Sequence, residues 1–419
     1  MNTLKCKLNL MPFALLCVLL SICGLKAQEK KVVFVIIDGI AEDMLSKANT
    51  PNLDEIANVG SLVPAYVGGE KDGYSQTPTI SAVGYNTLLT GTWVHKHNVF
   101  GNSIKAPNYN YPTVFELFEK RWPEKRTAVF STWLDNRTKL IGEGLEGTSY
   151  LKMDYAFDGF ELDTVAFPHD ADREFIKNID EKVATEAARY IKENGPDLSW
   201  VYLQFPDDMG HKFGDSPELY EAIAFEDALM GRLWEAISYR KQQFDEDWLL
   251  LITTDHGRTA EDGKHHGGQS RRERNIWMIT NKDKLNTYAQ NHRIAMVDLL
   301  PTMVDFLDLE VDEDVRLEWD GVSLLSEVDM INLKGIYNEQ NHSIDLSWEQ
   351  LKGSPKADVY LATSNNKNFG GEDNYKKVGK VKLSKEGYSI DLRDDSVEKF
   401  YKVVLKSSNT TLNTWIINE

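Results

Sequence analysis

The strongest constraint on this chain is a set of uninterrupted apolar runs. Val32-Val33-Phe34-Val35-Ile36-Ile37 and Trp248-Leu249-Leu250-Leu251-Ile252 are the longest, with shorter runs at residues 127–130 and 200–203. A strand with one face in water alternates apolar and polar side chains. A run without alternation is therefore a strand covered on both faces, as in a parallel sheet between helices. Helical periods fill the gaps, most clearly over residues 217–240, where Leu219, Ile223, Met230, Leu233 and Ile237 line one face. Residues 28–332 are expected to form an α/β domain with a mostly parallel central sheet and helices on both faces. Ligands should gather beyond the carboxyl ends of its strands.

Past residue 332 the pattern changes to short alternating segments such as Ile344-Asp345-Leu346-Ser347-Trp348 and Phe400-Tyr401-Lys402-Val403-Val404, with turn-rich pieces between them. No helical period competes there. Residues 333–419 are expected to form a small β-sandwich of the fibronectin type III-like kind. The sandwich shows no ligand motif and reads as a spacer or docking domain.

The first 27 residues stand apart. Lys5 and Lys7 precede an apolar run at residues 8–25, and Lys26, Ala27 and Gln28 follow, the pattern of a signal peptide cleaved after Ala27. A secreted or periplasmic protein is expected. The competing reading is lipoprotein processing at Cys23, although Ile22 stands where a small residue belongs. Cys6, Cys17 and Cys23 are the three cysteines of the chain, and all lie in this leader. Disulfides, thiolate nucleophiles and Cys-ligated metals are thereby excluded from the mature chain. The leader carries three lysines and no acid, so the formal charge of −18 becomes −21 on its removal. Such a balance argues against binding nucleic-acid duplexes, which requires clustered Lys and Arg. No later stretch is apolar enough to span a bilayer.

Chemistry-bearing residues fall where the apolar runs stop. Asp38-Gly39 follows the first run, Asp255-His256-Gly257 follows the run at 248–252, and Asp207 follows the run at 200–203 with His211 four residues on. A further pair, His265-His266, sits in a glycine-flanked loop. Imidazole and carboxylate donors suit zinc or a similar divalent ion once thiolates are absent. Singly, each has an ordinary explanation in helix capping, a solvated loop or a surface helix turn. Their conjunction carries the reading, because four of the nine histidines share these settings within a short span. Ser81 opens a short helical segment, where free amides and the positive dipole end favour an alkoxide or a bound phosphate, or where the hydroxyl serves only as a cap.

Together these residues resemble the alkaline phosphatase superfamily, most closely its type I phosphodiesterase/nucleotide pyrophosphatase branch. The matching motifs are Asp38-Gly39, Pro78-Thr79-Ile80-Ser81 leading to Thr90-Gly91, Pro206-Asp207-Asp208-Met209-Gly210-His211, Asp255-His256-Gly257, His266-Gly267, and Asp298-Leu299-Leu300-Pro301-Thr302 followed by Asp320-Gly321. They run in order over about residues 31–325. The resemblance implies two zinc-type ions, one held by Asp38, Asp255, His256 and the Ser81 oxygen, the other by Asp207, His211 and His266. His266 is preferred to His265 because the family ligand directly precedes a glycine. The resemblance also implies that Ser81 is the nucleophile, forming a phosphoseryl intermediate, that Asn102 binds a phosphoryl oxygen, and that the substrate is a small phosphate ester.

Two departures blur the substrate branch. Many phosphodiesterase members have Thr where this chain has Ser81, and the family's Phe-Pro-Asn after the nucleophile is replaced by Ala82-Val83-Gly84. Three alternatives stay open. A phosphomonoesterase needs an extra cation, for which Arg258 is the candidate. A sulfatase needs x-Pro-x-Arg after its nucleophile, which Ser81-Ala82-Val83-Gly84-Tyr85 lacks. An inactive surface-binding protein would not retain every expected ligand. Trp93 and Trp133 belong either to the core or to a stacked leaving group.

Overall fold

The computed structural model describes residues 28–353, 355–393 and 397–418. The expected leader and its cysteines lie outside the described residues. One sheet contains β1 (Glu29–Ile37), β2 (Ser61–Tyr66), β3 (Thr127–Ser131), β4 (Tyr155–Phe157), β5 (Leu198–Leu203), β6 (Glu246–Thr253), β7 (Asn275–Thr280) and β8 (Ile294–Ala295), in the order β4-β3-β5-β1-β6-β7-β2-β8. β1 lies between β5 and β6 and is parallel to both; β7 alone runs against the rest. The α/β expectation holds, and its cause is visible in β1. Val32, Phe34 and Ile36 enter one apolar cluster while Val33, Val35 and Ile37 enter the other, so neither face of the strand meets water.

The helices Glu174–Asn194 and Pro217–Gln243 cover the second of these faces, the latter longer by three residues than its apolar period implied. The helices Ser81–Thr90 and Leu299–Leu307 cover the first. Among the described residues no helix is long and apolar enough to cross a membrane.

The C-terminal part contains β9 (Met330–Asn338), β10 (Ser343–Gln350), β11 (Lys356–Ala362), β12 (Lys376–Lys382), β13 (Gly387–Asp391), β14 (Phe400–Lys406) and β15 (Thr411–Ile417). They form two antiparallel sheets, β13-β10-β9 and β12-β11-β14-β15, that share an apolar cluster built from Ile344, Leu346, Trp348, Val359 and Val403 among others. The division expected between residues 332 and 333 falls inside β9. These sheets are bound to the α/β body by buried polar groups. Lys96 Nζ donates to Asp320 Oδ1 at 2.5 Å, to the Glu318 carbonyl at 2.7 Å and to Asn413 Oδ1 of β15 at 2.8 Å. Lys402 of β14 donates to Glu318 at 3.0 and 3.1 Å and to Asp373 at 2.7 Å. Trp415 stacks on Tyr74 at 5.9 Å and meets His95 edge-on at 4.4 Å.

Candidate metal centre

Asp38 follows β1 on the face that carries Phe34 and Ile36, and it is buried. Gly39 turns the chain away with φ of +72°, a backbone conformation open to glycine, and its amide donates to Asp255 Oδ1 at 3.1 Å. Asp255 and His256 leave the end of the neighbouring strand β6, so the parallel pairing of β1 and β6 brings the two carboxylates together. His256 Nε2 lies 3.4 Å from Asp38 Oδ1, 3.2 Å from Asp255 Oδ2 and 3.4 Å from Ser81 Oγ. Ser81 is the first residue of its helix, after Ile80 at the cap position in an extended conformation, and its hydroxyl faces His256 Nε2. Ser81 thus stands one residue past the cap position that the simple N-cap reading gave it.

Asp207 and His211 occupy one face of the helix Phe205–Phe213 at i, i+4 spacing, with Nε2 3.3 Å from Asp207 Oδ2. His266 joins them from its loop, Nε2 to Nε2 at 3.1 Å from His211 and 3.9 Å from Asp207 Oδ1. His265 is exposed and lies outside this group. In each trio, Asp38–Asp255–His256 and Asp207–His211–His266, the donor atoms lie within 4.8 Å of one another. The rings of His256 and His266 stack at 3.6 Å and 11°, joining the two trios.

The donor chemistry fits cations. His256 Nδ1 lies 3.0 Å from the Gly257 carbonyl, so that nitrogen carries the proton and Nε2 presents a lone pair. His266 Nδ1 is 2.9 Å from the Thr79 carbonyl, with the same result. Asp38 Oδ1 and Asp255 Oδ2 are buried and have no hydrogen-bond partner. The first trio thus directs three lone-pair donors at one point beside Ser81 Oγ, an arrangement that repels itself unless a cation stands there. Acidities agree. Burial, then Asp255 and Asp207, raise the Asp38 carboxyl well above its usual range, and burial pushes Asp255 up to about 7. Burial holds the His256 imidazole neutral.

Arg258, the candidate for the extra cation of a phosphomonoesterase, is engaged inside the protein. Its guanidinium is fully buried, donating from Nη2 to Asp207 Oδ1 at 2.5 Å and to the Asp207 carbonyl at 2.9 Å, and from Nε to the Gly39 carbonyl at 2.8 Å. A Cβ at Gly210 would stand 2.0 Å from Arg258 Cζ, so glycine is required there. Burial works against the Asp207 charge, but Arg258 and His211 override it and hold that carboxyl below its usual range.

Two tyrosines have no counterpart in the sequence reading. The Tyr85 hydroxyl makes a short hydrogen bond to Asp38 Oδ2, and the Tyr202 hydroxyl donates to the same oxygen at 2.8 Å. Tyr85 sits one helical turn beyond Ser81, a spacing that could have revealed it. Asn102 Oδ1 accepts from the Ala82 amide at 3.0 Å, which leaves its NH₂ group, exposed beside Ser81, available as a donor. Trp93 stacks on Tyr66 and packs with Ala295 and Val297 as core; Trp133 is half-buried at the end of β3 and meets Tyr85 edge-on at 6.3 Å.

An α/β sheet of this order, with paired carboxylate–imidazole trios and a serine at a helix start, is the alkaline phosphatase-like architecture. The family model for type I phosphodiesterase / nucleotide pyrophosphatase matches residues 32–379, and the chain belongs to that family. Human ectonucleotide pyrophosphatase/phosphodiesterase family member 7 is 27% identical over 254 residues, covering 57% of this chain and 50% of that protein. Human family member 5 is 25% identical over 242 residues, covering 56% and 46%. The chain spans about half the length of these curated relatives. A solved 2-O GAG sulfatase, BT1596, shares the fold with a TM-score of 0.50 at 13% identity, covering 88% of this chain and 86% of that one.

Proposed function

We propose that this protein is a secreted, two-metal phosphoric ester hydrolase that acts on phosphodiesters or nucleotide pyrophosphates. The observation that carries the proposal is the convergence of Asp38 Oδ1, Asp255 Oδ2 and His256 Nε2, neither carboxylate oxygen having a hydrogen-bond donor among the described residues, beside Ser81 Oγ. Asp38, Asp255, His256 and Ser81 would hold one divalent ion, zinc or similar, and Asp207, His211 and His266 the other. When bound, such ions lower the proton affinity of a coordinated hydroxyl and offset charge on a leaving oxygen.

Ser81 Oγ gives up its proton and attacks phosphorus in line; its bond to phosphorus forms as the ester P–O bond opposite breaks, the leaving oxygen takes up a proton, and a seryl phosphodiester that keeps the second ester group remains. Water entering from the open His211 side then attacks phosphorus, the Ser81 Oγ–P bond breaks, Oγ regains its proton, and a phosphate monoester leaves. The NH₂ of Asn102, oriented by its bond to the Ala82 amide, donates to a non-bridging oxygen, and the first-turn amides of the Ser81–Thr90 helix add to it. A diester suits the site better than a monoester because the buried Arg258 is committed to Asp207 and Gly39 and offers no donor to a dianion. The sulfatase resemblance is one of fold, and Ser81 lacks the flanking residues that reading needs.

The test compares a bis-aryl phosphate, an aryl monophosphate and an aryl sulfate as substrates, with and without chelator. The diester should turn over fastest and stop with chelation. Faster sulfate cleavage, or diester cleavage indifferent to chelator, would sink the proposal.

A further inference from the structure

Behind the second trio lies a pair of acids that the chemistry above does not use. Asp180 occupies the apolar stripe of the Glu174–Asn194 helix and Glu226 that of the Pro217–Gln243 helix, and both are fully buried. Their carboxyl groups meet. Asp180 Oδ2 accepts the amides of Gln204 at 2.9 Å and Phe205 at 2.6 Å, and Oδ1 accepts the Thr132 hydroxyl in a short bond. No N–H or O–H of another described residue reaches either oxygen of Glu226.

The Gln204 and Phe205 amides open the helix that bears Asp207 and His211. A helix start leaves its first amides without partners, and Gln204 is not a capping residue and makes no side-chain cap. Asp180 therefore caps this helix from another helix. Among the described residues no Lys or Arg pairs with either acid. On the Glu174–Asn194 helix, Lys177 lies over the Phe205 and Phe225 rings and pairs with Glu174, while Glu181 pairs with Arg232 at the surface. Asp227, next to Glu226, turns to the Asn52 and Leu53 amides, and Asp208 on the capped helix is 3.6 Å from Arg173. Two touching carboxylates without a cation cannot both ionise. Asp180 has three donors and keeps the charge; Glu226 has none and keeps a proton.

We propose that Glu226 holds a proton that it donates to Asp180, and that this pair positions the helix carrying Asp207 and His211. Burial, then the opposing carboxylate, raises Glu226 well above its usual range, and Asp180 is pushed up to about 7. The positioning half of the proposal rests on the metal reading of Asp207 and His211; the proton half does not.

The sign of the pH effect follows. The unfolded chain ionises Glu226 above about pH 4 while the folded protein keeps it protonated, so this residue costs more stability as the pH rises from there. Glu226→Gln removes the cost and preserves a donor to Asp180. In the full chain it should be folded, with a Tm advantage over wild type that widens from about pH 4 to about pH 8. Infrared spectra at neutral pH should show an un-ionised carboxylic acid in wild type, sensitive to D₂O and missing from Glu226→Gln. No such band, or a Tm gap that ignores pH, overturns the shared proton.

Zinc titration tests the positioning. Asp180→Asn should weaken one of two zinc sites by about tenfold and leave the other, while Glu226→Gln leaves both. Should Asp180→Asn not fold, Thr132→Val removes one donor to the same carboxylate and should weaken that site by a smaller factor. Unchanged zinc binding in the variant that folds overturns the positioning. If wild type binds no zinc, the metal reading fails while the infrared result stands.

Discussion

The two trios use the same donor types in opposite surroundings. The side chains of Asp38, Asp255 and His256 are at most 2% exposed, whereas His211 is 43% exposed. The buried trio has carboxylates raised by desolvation and no internal cation. The open trio has Arg258 built against Asp207, which keeps that carboxylate charged. The difference teaches how each trio meets its own charge: the buried one has no cation of the protein beside it, while the open one is balanced beforehand by Arg258 and stands nearer to water.

The largest effect should come from Ser81→Ala, which removes the attacking oxygen from the buried side. Diester turnover should fall at least about a thousandfold with Tm and zinc content nearly unchanged. Retained turnover would place the nucleophile elsewhere. Next comes the metal-free protein, where the trios should respond to neutralisation in opposite directions. Asp255 ionises less readily folded than unfolded, so its contribution to stability declines as pH rises from about 4 toward about 7. Asp207 is the reverse, its contribution fully present above about pH 4 and lost as acid is added. Asp255→Asn should therefore raise the Tm of chelated protein at pH 8 and Asp207→Asn should lower it; equal signs would erase the distinction. The smallest effect is expected from Tyr85→Phe, which removes one of two phenols on Asp38. Zinc affinity of the buried site alone should drop about tenfold, read by competition with a chromogenic chelator.

Much of this was legible in the sequence. Unalternating runs such as residues 32–37 announced a covered sheet, and the ligand candidates stood where those runs ended, because a parallel sheet gathers strand ends on one edge. Partners fixed by packing were not legible. Tyr202, Asp180 and Glu226 sit at apolar positions of a strand or helix, and nothing local distinguishes a phenol or acid with a distant partner from an irregularity. Arg258 followed a recognisable motif, yet its burial depends on the space left by Gly210, a contact across 48 residues of chain. β2 and β7 were missed because their pairing is set by the sheet edge they join, with Pro64 lying within β2.

The buried lysines between the α/β body and the C-terminal sheets bear on how this protein can be dissected. Lys96 lies six residues past the end of the Ser81–Thr90 helix, and one of its three oxygen acceptors belongs to Asn413. A chain cut before β9 would strip Lys96 of that partner, Glu318 of Lys402, and Tyr74 and His95 of Trp415. Loss of activity in such a truncation would then report a broken fold, and a role for the sheets in docking can be sought only by changing their outer surface in the intact chain.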